Sequence, residues 1–310
     1  MVTLPTEQIQ ALRQQHYQAT LISKRLLHDE LAILRVRPDA ALQPHRAGQY
    51  TTLGLGMWEP RHPLAVPEPV KPGQESHLIR RQYSISHPMV DASGKLCEDT
   101  PRDVEFYIVL VRGDAHSIPS LTPRLFMLKE GDRLFLGEKI LGHYYVDGIK
   151  PDDTVILFST GTGEAPHNYM LWELLRNGHQ GPILAACCVR HNRDLAYRAE
   201  HEQLMKQFPR YKYMALTTRE PGQLGKRYLQ DLLKTGDLER EFGQQLDPAR
   251  THVYLCGNPS MIGVPTIDKA TKEKTYPSPV GMVQLLEERG FVSDNKTLKI
   301  KGNVHFEEYW

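Results

Sequence analysis

The chain has 310 residues, of which 40% are hydrophobic and 24% charged, and 38 Lys and Arg residues nearly balance 37 Asp and Glu residues. This composition excludes an intrinsically disordered protein, and the near-neutral charge of each half argues against binding to nucleic acid. The sequence offers no apolar run long enough for a membrane span and no secretory signal at residues 1–18. Four cysteines without CxxC spacing predict a cytoplasmic protein with neither a disulfide scaffold nor a metal site.

The first half of the chain predicts one helix followed by short strands. A helix capped by Thr6 is expected first. Six β-rich segments then follow, separated by Gly, Pro and Asp: ATLISKRLLH, ELAILRVRP, QYTTLGL, RQYSISH, VEFYIVLVR and RLFLGE. A further helix, TPRLFMLKEG, is expected between the last two. Short strands at this spacing indicate a closed antiparallel barrel or a sandwich. The proline-rich stretch at 60–72 predicts an irregular loop.

From Pro151 the pattern changes to apolar strands that alternate with amphipathic helices. The strands are VILFST, ILAACCVR, KYMALTTRE and HVYLCG, and the helices are HNYMLWELLRNG, AYRAEHEQLMKQF, GKRYLQDLLKTG and GMVQLLEERG. This alternation indicates a parallel sheet covered on both faces. We therefore predict a helical extension at 1–18, a β domain at 19–148 and an α/β domain at 149–310.

The turn GTGEAP follows the first of these apolar strands. Its glycines, Gly161 and Gly163, would let backbone N–H groups approach a ligand, and the helix that follows favours an anion. Pro166 suits a first helical turn but replaces the third glycine of the dinucleotide fingerprint. The segment alone fits either a nucleotide site or an ordinary tight turn.

Polar and reactive residues follow the other strands of the α/β half. Arg190, Arg219 and Arg227 would meet at the carboxyl edge of a parallel sheet, where three guanidinium groups could clamp a phosphate. The alternative is that each is a solvated surface charge. Cys256 ends the strand HVYLC, where it would be either a ligand-facing thiol or a small buried residue.

The segment RQYS in the β half places Arg81 and Tyr83 on one face of a strand, with Ser84 on the other unless the strand ends there. A cation beside an aromatic ring could bind a phosphate while the ring covers a flat heterocycle. An ordinary strand is the alternative.

Together these motifs resemble the plant-type ferredoxin–NADP(H) reductases, and the bacterial members most closely. The resemblance spans about residues 20–310 and rests on the ordered set AGQYTTLGL, RQYS, EFYIVLV, LTPRL, GTGEAP, TTRE, CGNPSM and the terminal EEYW. It implies a two-domain fold, in which an FAD-binding antiparallel Greek-key β-barrel is followed by an NADP(H)-binding α/β domain with a parallel sheet.

For FAD, the resemblance implies that Arg81 holds the pyrophosphate and that Ser84 forms a hydrogen bond near flavin N5. Tyr83 and Tyr309 would cover the two faces of the flavin. The further FAD-binding residues that it implies are Tyr107, Ile108, Val109, Ser120, Leu121, Thr122, Thr162 and Trp310.

For NADP(H), the resemblance assigns Arg190, Arg219 and Arg227 to the 2′-phosphate and places Cys256 opposite nicotinamide C4. The remaining NADP(H) residues that it implies are Gly161, Thr162, Gly163, Thr218, Gly257, Asn258 and Met261. Ser84, Cys256 and Tyr309 would be the catalytic residues.

The implied function is an FAD-dependent oxidoreductase that passes electrons between NADP(H) and ferredoxin or flavodoxin by hydride transfer at flavin N5, as a monomer. The alternatives are a related NADPH-dependent flavin reductase that serves an oxygenase or a cytochrome, and a flavin-binding module without turnover. The chain departs from the family pattern at Glu164, where a hydrophobic residue is common, and at Pro119. It also has additional segments at 57–79 and 91–103.

Overall fold

The computed structural model describes residues 4–243 and 245–309, and it divides into two compact units. The first unit contains the chain up to His87 together with Asp99–His143, and the second contains Pro88–Glu98 together with the chain from Tyr144 onward. The division therefore differs from the expected boundary at 148 in two ways. It falls a few residues earlier, and it groups Pro88–Glu98 with the second unit.

The first unit is built on one antiparallel sheet of six strands. The strands are β1 (Ala19–His28), β2 (Leu31–Pro38), β3 (Tyr50–Gly56), β4 (Leu78–Ser84), β5 (Val104–Val109) and β6 (Arg133–Leu136), and the helices are α1 (Thr6–His16) and α2 (Thr122–Leu125). The strand order is β4-β3-β6-β1-β2-β5. The edge strands β4 and β5 are connected by an isolated bridge between Ser86 and Glu105. The predicted antiparallel β architecture is confirmed, although the described strands do not close into a continuous barrel.

Helix α1 belongs to the first unit. A buried carboxylate attaches the helix to the rest of this unit. Glu59 accepts hydrogen bonds from Nε of Arg13 at 2.8 Å and from the hydroxyl of Tyr17 at 2.9 Å. The expected cap at Thr6 is wrong, because the helix begins at Thr6 and Pro5 occupies the N-cap. The fixed φ of Pro5, −57°, leads the chain directly into the helix.

The second unit is built on a parallel sheet of five strands in the order β13-β10-β7-β8-β9. The strands of this unit are β7 (Thr154–Thr160), β8 (Ile183–Val189), β9 (Tyr211–Thr217), β10 (Thr251–Gly257), β11 (Thr266–Ile267), β12 (Lys274–Thr275) and β13 (Val304–Glu308). Its helices are α3 (Glu164–Arg176), α4 (Arg198–Gln207), α5 (Leu229–Lys234), α6 (Asp237–Phe242), α7 (Pro259–Ile262) and α8 (Met282–Glu287). The predicted α/β architecture is confirmed. Strands β11 and β12 form a separate antiparallel pair.

Apolar side chains fill both faces of the parallel sheet. In β8, Ala186 and Cys188 join a core that includes residues of α5, α7 and α8, whereas Cys187 and Val189 pack with Leu195 in a second cluster. This alternation follows from the period of two in a strand. Among the described residues, no helix is both long enough and apolar enough to cross a membrane.

The segment Pro88–Glu98 groups with the second unit because it is hydrogen-bonded to two of its helices. Nε1 of Trp172 in α3 donates to the carbonyl of Cys97 at 2.9 Å. Nε2 of Gln207 in α4 donates to the carbonyl of Gly94 at 2.8 Å. Part of the additional segment at 91–103 is therefore a structural element of the second unit.

A buried polar network attaches the start of α3 to the neighbouring α4 and β9. The Glu164 side chain, 3% exposed, accepts hydrogen bonds from the hydroxyl of Tyr213 at 2.9 Å and from Nε2 of His201 at 3.2 Å. Nδ1 of His201 pairs with the hydroxyl of Tyr211 at 2.7 Å. Burial, reinforced by the nearby Glu164 carboxylate, raises the pKa of Tyr213 well above its ordinary value, so its hydroxyl remains a donor. Glu164 thus fixes the helix that directly follows the GTG turn.

Replacing Glu164 with Leu is expected to destabilise the protein by about 2–5 kcal/mol, because two buried donors lose their acceptor at about 1–3 kcal/mol each. Urea denaturation measures this loss. Glu202→Leu is the matched control, since Glu202 also lies on α4 but is exposed and pairs with Arg198 at 2.9 Å. Equal free energies of unfolding for the two variants would contradict the role of Glu164.

A second buried group in α3 predicts a pH dependence of stability. Burial lowers the pKa of His167 to about 3, and its Nε2 pairs with the hydroxyl of Tyr144 at 2.9 Å. Because the unfolded chain binds this proton below about pH 6.5 and the folded chain does not, stability falls as the pH is lowered from 6.5 towards 3. His167→Gln should reduce this slope by up to about 1.4 kcal/mol per pH unit, as measured by urea denaturation at several pH values. The exposed His116→Gln control should retain the wild-type slope.

Candidate functional site

The parallel sheet has its topological switch point at β7. The chain continues from β7 to β8 and β9 on one side, whereas β10 and β13 lie on the other. In sheets of this type, ligands bind beyond the carboxyl ends of the strands at the switch point. The turn that follows β7, Gly161–Gly163, occupies this position, beside the end of β10.

The turn after β7 and the end of β10 touch through their backbones. A Cβ at Gly163 would overlap the carbonyl oxygen of Cys256 and lie 2.7 Å from its carbonyl carbon. The hydroxyl of Thr160 accepts a hydrogen bond from the backbone N–H of Asn258 at 2.7 Å. By contrast, a Cβ at Gly161, where φ is +54°, would meet nothing within 4 Å. The turn is therefore fixed on the side that faces β10. Around Gly161 it has open space, where a phosphate group of a ligand could approach the backbone.

Cys256 lies at this edge with Tyr309 against it. The thiol is fully buried, and burial, reinforced by the negative charge of Glu307, raises its pKa well above the ordinary value, while a hydrogen bond with Tyr309 opposes the shift. The backbone N–H of Tyr309 donates to the carbonyl of Gly257 at 2.9 Å. Cys256 is therefore a neutral thiol beside Tyr309. Trp310 lies outside the described residues.

Two of the predicted arginines follow adjacent strands at the same edge. The backbone N–H of Arg219 donates to the carbonyl of Arg190 at 2.9 Å, and that of Thr218 donates to the carbonyl of Val189 at 3.1 Å. Both arginines are exposed. In the described part of the chain, neither guanidinium group has a hydrogen-bond or ion-pair partner, so both are available to an anion.

The third predicted arginine already has a partner. The backbone carbonyl of Arg227 lies 4.0 Å from Sγ of Cys188 in β8, but the guanidinium group forms an ion pair with Asp237. Asp237 also pairs with Arg240. The structure thus brings Arg227 to the predicted edge, with its guanidinium group already paired with a carboxylate.

The other predicted NADP(H) residues follow β10. Asn258 is the N-cap of α7, where its side chain accepts a hydrogen bond from the backbone N–H of Ser260 at 2.8 Å. Met261 is buried in the core. The structure brings together Thr160, the turn Gly161–Gly163, Cys256 and Asn258. Met261 lies in the core and not at the surface of this group.

In the first unit, Arg81 lies on β4 beside a cavity of about 650 Å³. The cavity is lined by Gln18, which precedes β1, by residues of β3, β4 and β6, and by the segment that follows β6: Thr52, Arg80, Arg81, Gln82, Phe135, Gly137, Glu138, Lys139 and Leu141. Nη1 of Arg81 donates to the carbonyl of Arg80 at 2.8 Å, and among the described residues no acceptor meets the other donors of this guanidinium group, so they can bind an anion.

The predicted flavin residues of β4 and β5 meet at an aromatic contact. The ring of Tyr83 lies edge-on to Phe106, with centroids 6.5 Å apart, and burial raises the pKa of Tyr83. Ser84 ends β4 in a buried position. In β5, Tyr107 and Ile108 are buried and Val109 is 41% exposed. The structure therefore brings Tyr83 against Phe106, the residue that precedes the predicted YIV segment, and places Val109 at the surface.

Ser120, Leu121 and Thr122 lie at the start of the short helix α2. Within the described residues, their three backbone N–H groups have no hydrogen-bond acceptor. The hydroxyl of Ser120, however, donates to Glu68, and that of Thr122 accepts from the backbone N–H of Val111 at 3.2 Å. The backbone donors fit an anionic group, whereas the hydroxyl of Ser120 is already in use.

Sequence reasoning missed Glu68 and Asp237, the two carboxylates that pair with candidate ligand-binding segments. Glu68 lies in an irregular loop with no periodic pattern around it. Asp237 has a local signal, since it precedes Arg240 by three residues in a helix, but nothing in the sequence connects it with Arg227.

Comparison with known proteins identifies the family. The oxidoreductase NAD-binding domain family matches residues 157–265. A flavodoxin/ferredoxin–NADP reductase of Buchnera aphidicola (Schizaphis graminum) is 30% identical over 228 residues, which cover 72% of this chain and 79% of the relative. The enzyme of the same name from Escherichia coli K12 is 26% identical over 235 residues, which cover 74% and 81% of the two chains.

A solved structure supports the fold. The crystal structure of a ferredoxin NADP+ reductase from Neisseria gonorrhoeae, which holds FAD and NADP, matches with a TM-score of 0.66 and 17% identity over 94% of this chain and 97% of the other. The order of the two units and the parallel sheet agree with this likeness. The chain belongs to the family of flavodoxin/ferredoxin–NADP reductases.

Proposed function

We propose that this protein is an FAD-dependent oxidoreductase that exchanges electrons between NADP(H) and ferredoxin or flavodoxin. The observation that carries the proposal is the carboxyl edge of the parallel sheet, where the turn Gly161–Gly163 contacts Cys256 and where Arg190 and Arg219 have guanidinium groups with no partner among the described residues. Membership of the reductase family supports the same activity.

The second unit would bind NADP(H) at this edge. The open space at Gly161 would admit the nucleotide, and the positive end of α3 would favour its phosphates. Arg190 and Arg219 would bind the 2′-phosphate through charge-assisted hydrogen bonds. Arg227 would contribute less than the other two, because its guanidinium group is already paired with Asp237.

The first unit would bind FAD along β4 and the start of α2. Arg81 and the backbone N–H groups of Ser120, Leu121 and Thr122 would hold the diphosphate. The ring of Tyr83 would cover one face of the flavin, and the hydroxyl of Ser84 would lie near its reacting nitrogen. These assignments, with those of Tyr107, Ile108, Val109, Thr162 and Trp310, remain predictions of the resemblance.

When bound, FAD supplies the chemistry that converts a hydride from NADPH into single electrons. The chain's residues position the nucleotides and exclude water. Because burial keeps Cys256 protonated, its thiol would pack beside the nicotinamide and would not act as a nucleophile. Tyr309 lies near Cys256, so if the nicotinamide packs beside this thiol, the side chain of Tyr309 would have to move to admit it.

The test is steady-state kinetics of the purified FAD-loaded protein with NADPH, first with ferricyanide and then with purified ferredoxin and flavodoxin. We expect all three to be reduced, with NADH far less effective. Rapid ferricyanide reduction without reduction of either carrier protein would favour a reductase for an oxygenase or a cytochrome. A flavin-loaded protein that fails to reduce ferricyanide would contradict the proposed function.

Arg219→Ala is expected to lower the preference for NADPH over NADH, expressed as the ratio of kcat/KM values, by about 10- to 100-fold. The reason is the loss of a charged hydrogen bond worth about 1.5–3 kcal/mol. Activity with NADH should change little, since NADH lacks the 2′-phosphate. Arg193→Ala is the control, because Arg193 follows the neighbouring strand β8, is exposed and lies 4.0 Å from Asp194. An unchanged NADPH preference in Arg219→Ala would overturn the assignment.

A further inference from the structure

The loop at 57–79 carries a buried carboxylate between two arginines. The Glu68 side chain is only 8% exposed, and it accepts hydrogen bonds from Nη1 of Arg124 at 2.7 Å and from Nη1 of Arg61 at 3.0 Å. It also accepts one from the hydroxyl of Ser120. Burial acts to raise the pKa of Glu68, but the bonds from Ser120 and the arginines outweigh it and hold the pKa below its ordinary value.

The same two arginines bind the backbone just before α2. Nη1 of Arg61 donates to the carbonyl of Pro119 at 2.8 Å, and Nη1 of Arg124 donates to the carbonyl of Ser120 at 2.6 Å. In a trans peptide the C=O and N–H groups point in opposite directions. Holding these two carbonyls towards the arginines therefore turns the N–H groups of Ser120 and Leu121 away from them. These are the backbone donors that have no acceptor in the described part of the chain.

The charges and burial of this cluster also favour an anion nearby. Two guanidinium groups against one carboxylate leave a net charge of one positive unit. The Arg124 side chain is 1% exposed, and its Nε–H is buried without an acceptor among the described residues. A positive charge held at a position of low dielectric acts strongly on a nearby anion.

We propose that Glu68, Arg61 and Arg124 form a positioning triad, through which the loop at 57–79 orients the N–H groups of Ser120 and Leu121 towards the diphosphate of a bound dinucleotide. The inference rests on the proposed function, because FAD is the dinucleotide that the first unit would bind. It gives the loop a role in retaining the flavin. Glu68 fixes both guanidinium groups, and they fix the two peptide planes.

The test compares the rate at which FAD leaves the purified holoenzyme in the wild type and in Glu68→Gln. The rise in flavin fluorescence reports the release. The amide has the shape of the carboxylate but lacks its charge, so both arginines are held less firmly. We expect FAD release to be at least about 10-fold faster, the effect of losing one charge-assisted hydrogen bond. Glu75→Gln, in the same loop, should release FAD at the wild-type rate.

Two further measurements separate positioning from a merely structural role. Thermal unfolding of the FAD-free proteins gives the midpoint of the wild type and of Glu68→Gln, and FAD release is compared at a temperature well below both, where each protein is folded. Inorganic pyrophosphate, which tests the diphosphate subsite alone, should slow FAD rebinding to the wild type more than to the variant. If Glu68→Gln does not fold, Arg61→Lys replaces it, since Arg61 is partly exposed and the single nitrogen of lysine cannot reproduce a guanidinium group that binds Glu68 and Pro119 through Nη1 and the carbonyl of Val66 through Nη2.

The results distinguish this inference from the proposed function. A wild type that binds no FAD contradicts the proposed function itself. A wild type that holds FAD, with a folded Glu68→Gln or Arg61→Lys that releases it at the wild-type rate, overturns the triad alone. Equal acceleration in Glu75→Gln, or equal competition by pyrophosphate in wild type and variant, would also overturn it.

Discussion

The backbone carbonyl of Cys256 lies so close to Gly163 that any side chain at position 163 would overlap it. This contact joins the end of β10 to the turn after β7, across the switch point of the parallel sheet. The hydrogen bond between Thr160 and Asn258 and that between Tyr309 and Gly257 lie at the same junction. The candidate nucleotide site therefore depends on two strand ends held in backbone contact, with the reactive side chains arranged around them.

Two buried carboxylates support the segments that would bind anionic groups, one in each unit. Glu164 attaches the helix after the GTG turn to His201 and Tyr213, and Glu68 holds two arginines against the chain before α2. In both cases the carboxylate is paired with donors in the interior, where an unpaired charge would be costly. Neither carboxylate occupies the ligand position itself, so both leave the backbone donors of the adjacent segment available.

The sequence predicted the α/β unit well because its strands are continuous apolar runs and its helices are amphipathic, so that each element carries its own local signal. It did not predict β13, since VHFEE is short and largely polar and forms a strand only by pairing with β10. The helix expected to continue to Gly131 ends at Leu125. Arg190 and Arg219 follow the ends of adjacent strands, which the strand pattern alone indicates, whereas their binding of a phosphate stays a prediction. The partners of Arg227 and Ser120 come from segments with no local pattern, which only tertiary packing brings together.

We expect NADP(H) to bind at one edge of the parallel sheet, which is formed by the GTG turn, the ends of β8 and β9, and Cys256. Amide hydrogen exchange of the FAD-loaded protein, with and without NADP+, locates the binding site directly. We expect NADP+ binding to slow amide exchange in the peptides that cover residues 159–164, 188–191, 218–220 and 256–261. Protection confined to other parts of the second unit, with these four segments unchanged, would contradict it.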